Sequence, residues 1–137
     1  MESLSHTHWE CQFHIVFVPK YRKKTLYPNV KEFLKRVFHE LAKQRGSTII
    51  SGYLMIDHVH MLIKIPPKYS VSEVVGYLKG KSAIAIARQF GGKKRNFSGE
   101  SFWARGYFVS TVGLEKKEVL NYIKNQEAAE RKMDGLF

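Results

Sequence analysis

The sequence holds a single cysteine, Cys11, in 137 residues. An internal disulfide, a CxxC redox pair and a cysteine-rich metal knuckle are therefore excluded, and a reducing, cytoplasmic setting is expected. Long apolar runs are also missing: nothing approaches the roughly 18 uninterrupted residues of a membrane span. The first residues mix Glu, His and Lys without a separate apolar segment, so neither secretion nor insertion is indicated. With no internal repeat, low-complexity tract or Pro/Ser-rich linker, residues 1–137 read as one domain. Acidic residues are scarce, 12 Asp+Glu against 23 Lys+Arg, for a net charge of +11. That surplus points to a polyanionic partner. What is plentiful is apolar: 44% hydrophobic and 13% aromatic residues suffice for one core and argue against charge-driven disorder.

Hydrophobic periodicity orders the chain. Trp9 to Val18 alternates, with Trp9, Cys11, Phe13, Ile15 and Phe17 on one side, as in a half-buried strand that Pro19 ends. Asn29 with Glu32 reads as a capping box ahead of Val30, Phe33, Leu34, Val37, Phe38 and Leu41, a helical stripe that Gly46 stops. Ser47 to Met55 and Val59 to Ile65 are strands joined by a tight bend at Ile56-Asp57-His58. Ser70 and Glu73 repeat the capping-box spacing before a second helix that stops at Gly91-Gly92. Tyr107 to Val112 is a short strand, and Leu114 to about Arg131 a third helix. The order βαββαβα predicts an α+β fold of the ferredoxin-like or RRM-like split βαβ type, an antiparallel sheet with helices on one face plus a C-terminal helix.

Two small groups of residues have chemical potential. A period of two puts His58 and His60 on one strand face and Val59, Met61, Ile63 and Ile65 on the other. Two imidazoles at i, i+2 present nitrogen donors to one divalent cation, with a third ligand to come from elsewhere; alternatively they are polar residues on the solvent face of an edge strand. On the last helix, Tyr122 and Gln126 lie one turn apart on a single face, with Asn125 nearby. Tyr122 sits at the edge of a stripe that includes Val119 and Ile123, where a tyrosine commonly buries its ring and wets its hydroxyl.

Taken together, His58-Val59-His60 on a strand and Tyr122 with Gln126 on a later helix, in a short basic chain, resemble the HUH single-strand endonucleases. More narrowly, they resemble the single-tyrosine transposases of the insertion-sequence two-hundred/six-hundred-five group. Asp57, the stretch His14-Ile15-Val16-Phe17-Val18-Pro19-Lys20-Tyr21-Arg22 and the stretch Phe102-Trp103-Ala104-Arg105-Gly106-Tyr107 fit as well, so the resemblance covers nearly the whole chain. It implies that His58, His60 and Gln126 bind a metal and that Tyr122 is the nucleophile. It further implies a homodimer whose active sites are shared between chains, acting on single-stranded DNA hairpins at the ends of a mobile element.

The chemistry suits these residue types. A cation that neutralises nonbridging phosphate oxygens removes much of the barrier to attack on a phosphodiester. Two neutral imidazoles and an amide add no negative charge, which suits Mg²⁺ or Mn²⁺, the latter favoured somewhat by imidazole. A phenol of ordinary pKa about 10 needs deprotonation or nearby positive charge before it attacks. The product would be a 5′-phosphotyrosine and a free 3′-OH, with no ATP required. Lys20, Arg22, Lys23 and Lys24 form one basic cluster, and Lys93, Lys94, Arg95, Trp103 and Arg105 a second with aromatics interleaved. Both suit phosphate contact and base stacking on single strands, or else form a solvated face with aromatics capping the core. Two other readings remain at this point: a non-catalytic RRM-like nucleic-acid-binding module, and an HUH replication or relaxase nuclease.

Overall fold

The computed structural model describes residues 2–4, 7–9, 11–20, 26, 28–90, 102–111 and 116–134. The chain opens with β1 (Glu2–Leu4) and β2 (Thr7–Trp9), which pair as a separate two-stranded sheet. There follow β3 (Gln12–Phe17), α1 (Pro28–Lys43), β4 (Thr48–Met55), β5 (His58–Lys64), α2 (Val71–Phe90), β6 (Phe108–Ser110) and α3 (Lys116–Asp134). The main sheet has the order β4-β5-β3-β6, and every neighbouring pair is antiparallel. Thus α1 carries the chain from β3 to β4 with β5 between them, and α2 carries it from β5 to β6 with β3 between them. This is the expected split βαβ topology.

Local chemistry explains most boundaries, and three differ from expectation. The capping box at Ser70 forms: Ser70 Oγ accepts the Glu73 N–H at 3.1 Å while Glu73 Oε1 accepts the Ser70 N–H at 3.2 Å. The box expected at Asn29 does not, because α1 already begins at Pro28. Proline suits a first helical position, with its φ preset and no N–H to satisfy, so Asn29 lies inside the helix. Gly46 ends α1 as expected, at φ +60, a conformation only glycine adopts freely. The single strand expected from Trp9 to Val18 divides, since Thr7–Trp9 pairs with β1 whereas Gln12–Phe17 pairs with β5 and β6. The last strand is shorter than expected, Phe108–Ser110.

The sheet separates two cores. On one face Ile15, Phe17, Val59, Met61 and Ile63 pack beneath α1 (Val30, Leu34, Phe38) and α2 (Val74, Leu78, Ile86). Phe17 is fully buried, its ring edge-on to Phe38 and Trp103 at centroid distances of 5.9 and 4.8 Å. Burial of a side chain this size contributes about 1.5–3 kcal/mol. On the other face Val16, Val18 and Ala104 meet Val119 and Ile123 of α3. The two crossover helices therefore share one face and the C-terminal helix takes the opposite one. Among the described residues no helix is long and apolar enough to cross a membrane.

Candidate active site

Strand parity delivers His58 and His60 to the α3 face, since Val59, Met61 and Ile63 between and beyond them are buried on the other. The alternative of an edge strand is overturned: β5 lies between β4 and β3. Directly opposed residues share a face, so the pairs Tyr53↔His60, His60↔Val16 and Val16↔Phe108 form one row across four strands. Tyr122 completes that row from above, its ring 5.8 Å from that of Phe108 and its hydroxyl buried. With strands about 4.8 Å apart, Phe108 and His60 lie roughly 10 Å from each other along the sheet.

Each imidazole has a defined environment. His58 Nδ1 donates to Asp57 Oδ1 at 2.9 Å, which fixes the tautomer and leaves Nε2 with its lone pair free to act as a ligand. His60 Nε2 lies 3.4 Å from His14 Nδ1, and the two rings are 5.6 Å apart. Burial pushes the His60 pKa below the ordinary imidazole value of 6.5, and the charges that His14 and His58 can acquire push it the same way. A neutral ring is the form that binds metal. Sequence reasoning missed His14. Its parity was legible, but only the register of β3 against β5 brings it beside His60.

Among the described residues no three His, Cys, Asp or Glu side chains converge as a metal site. Two imidazoles on one face nevertheless form a nitrogen donor pair that suits a divalent cation completed by an uncharged amide. Gln126 lies one turn beyond Tyr122, and its Nε2 donates to the Arg105 carbonyl at 2.7 Å.

The expected DNA-contact residues divide. Lys20 and Arg105 are exposed. Trp103 is not a stacking platform but a core residue, 6% exposed, with its indole N–H donating to Ser82 Oγ at 3.0 Å. Phe17, Phe38 and Phe102 surround its ring. Arg22, Lys23, Lys24, Lys93, Lys94 and Arg95 lie outside the described residues. Their flanks do meet, because the Lys20 N–H donates to the Phe102 carbonyl at 2.7 Å and Pro19 bridges Trp103.

Comparisons with known proteins identify the family and the fold. The profile of the family described as "Transposase IS200 like" matches residues 7–126. A transposase for insertion sequence element IS200 from Salmonella typhimurium is 42% identical over 125 residues, covering 91% of this chain and 82% of that protein. The ISDra2 transposase TnpA of Deinococcus radiodurans is 28% identical over 123 residues, 89% of this chain and 88% of that one. The crystal structure of a Deinococcus radiodurans protein superposes with a TM-score of 0.81 at 28% identity, covering 92% of this chain and 98% of that one. The structure of a REP-associated tyrosine transposase bound to a REP hairpin shares the fold, with a TM-score of 0.57 at 13% identity over 93% of this chain and 76% of that one. The family resemblance drawn from the paired histidines and the later tyrosine is thus met by sequence and fold along nearly the whole chain, which belongs to the IS200-like transposase family.

Proposed function

We propose that this transposase cleaves and rejoins single-stranded DNA at hairpin-bearing element ends, through a covalent bond between Tyr122 and DNA, as one domain over residues 1–137. The observation that carries this reading is the row Phe108–Val16–His60 with the Tyr122 ring on Phe108, which sets the phenol and the imidazoles over one sheet face. Tyr122 Oη attacks phosphorus in line; the P–O3′ bond breaks, and the proton that the phenol gives up is balanced by the one that the departing 3′ oxygen takes up. The linkage that results, a 5′-phosphotyrosine, keeps the ester for later attack by another 3′-OH, so strands rejoin without ATP. His58, His60 and Gln126 would hold a divalent cation, Mg²⁺ or Mn²⁺, which when bound would supply charge neutralisation at the nonbridging oxygens. Asp57 orients His58 for that task.

Lys20 and Arg105 are proposed to contact the DNA backbone, together with Arg22, Lys23, Lys24, Lys93, Lys94 and Arg95. The +11 charge supports polyanion binding, and the relative bound to a REP hairpin supports a hairpin substrate. The test is incubation with labelled single-stranded element ends and Mn²⁺, then denaturing electrophoresis. A covalent adduct is expected with wild type and none with Tyr122→Phe, which keeps the ring on Phe108 and loses only the hydroxyl. Adduct formation by Tyr122→Phe, or full cleavage in EDTA, would overturn the reading.

A further inference from the structure

Lys79 of α2 has no part in the chemistry above, yet its ammonium group is held at one place in the fold. Its Nζ donates to two backbone carbonyls, Ala104 at 2.7 Å and Gly106 at 2.6 Å, and lies 5.7 Å from the centre of the Phe17 ring. The carbonyl between these two, that of Arg105, is turned the other way and accepts the Gln126 amide N–H from α3 at 2.7 Å. The chain bends at Arg105, and Gly106 follows at φ +81. Residues 104–106 therefore form a strap between helices that lie on opposite faces of the sheet. Further bonds hold the strap to α2 and β3: Trp103 donates to Ser82, Ser82 Oγ to the Lys79 carbonyl, and the Ala104 N–H to the Val18 carbonyl.

We propose that Lys79 is a positioning residue for Gln126: by drawing the Ala104 and Gly106 carbonyls toward α2 it aims the Arg105 carbonyl at α3, where that carbonyl orients the Gln126 amide. The role rests on Gln126 being a metal ligand as proposed above. An amide is planar and its nitrogen and oxygen diverge, so a carbonyl that accepts from Nε2 leaves Oε1 directed elsewhere as the donor atom. Partners of this kind, one bond behind a ligand, commonly change metal affinity by 10–100-fold when removed. Lys79 acts one bond further back, and the expected effect is about tenfold or less.

The two-variant cycle isolates this role from mere stability. Mn²⁺ affinity of the full chain is measured by titration calorimetry for wild type, Lys79→Met, Gln126→Ala and the double variant. Lys79→Met is expected to weaken Mn²⁺ binding severalfold when Gln126 is present and to have no effect in the Gln126→Ala background. Gly106→Ala acts on the strap from its other end: the glycine has φ +81, and an added Cβ would meet no atom within 4 Å, so the backbone shifts without a clash. It should show the same dependence on Gln126, and it decides the question for the strap if Lys79→Met fails to fold. A loss that persists in full with Gln126→Ala, or unchanged Mn²⁺ affinity in folded Lys79→Met, overturns the positioning role while leaving the metal site intact. Equal Mn²⁺ affinity in wild type and Gln126→Ala removes Gln126 from the metal site, which is a failure of the parent reading and takes the positioning role with it.

Discussion

His60 is the residue on which burial, charge and chemistry meet. Its ring is half-buried between the His14 and Tyr53 rings, and both burial and the neighbouring imidazoles lower its pKa. The folded chain therefore resists a proton that the unfolded chain takes up readily near pH 6.5. Stability contributed at neutral pH is lost as pH falls below that value, because the unfolded state then binds more protons. In metal-free protein, the melting temperature of wild type relative to His60→Gln should fall between pH 7 and pH 5. A pH-independent difference would show that His60 titrates as in a free peptide. At this scale the sequence told which residues could ligate, since side-chain chemistry is intrinsic. It did not tell that Trp103 is core, because that follows from Phe17, Phe38 and Ser82 arriving from three different elements.

Helix ends show what local sequence decides. Ser70 and Glu73 satisfy each other's backbone donors at the start of α2, whereas Asn29 sits one residue inside a helix that Pro28 begins. Ser70→Ala should therefore cost about 1 kcal/mol, in the usual range for an N-cap, while Asn29→Ala, at an exposed position without a capping bond, should stay within about 0.5 kcal/mol. Urea unfolding followed by circular dichroism measures both, and equal losses would refute the assignment of the caps. The periodic stripes of α1 and α2 were legible because each faces a single broad core. The face that α3 covers was not. Val119 and Ile123 announce an apolar stripe, but only the pairing of β3 decides that Val16 and Val18 lie beneath it.

In the whole molecule, α3 carries its tyrosine over the sheet of its own chain, through Val119 and Ile123 on Val16 and Val18 and through Gln126 on the Arg105 carbonyl. A homodimer with shared sites would instead set this helix against the histidines of a partner. Mixing His60→Ala with Tyr122→Phe distinguishes the two arrangements. Shared sites give a heterodimer with one intact centre, about half the wild-type activity per dimer, and an adduct on the His60→Ala chain. Sites built within one chain leave a defect in every centre and activity at background. Denaturing gels with chains of different tag length read the result.

The sequence by itself determined the order of the main-sheet strands and the three helices, the topology they allow and the side chains able to ligate or attack, because periodicity, capping and functional-group chemistry are local. Only the tertiary structure decided that His14 stands beside His60, that Tyr122 lies on the row through Phe108 and Val16, and that Lys79 and Gln126 grip one strap from opposite faces. Those facts depend on strand register and on which face a helix covers. A shift of one residue would reverse each of them without changing a letter of the sequence.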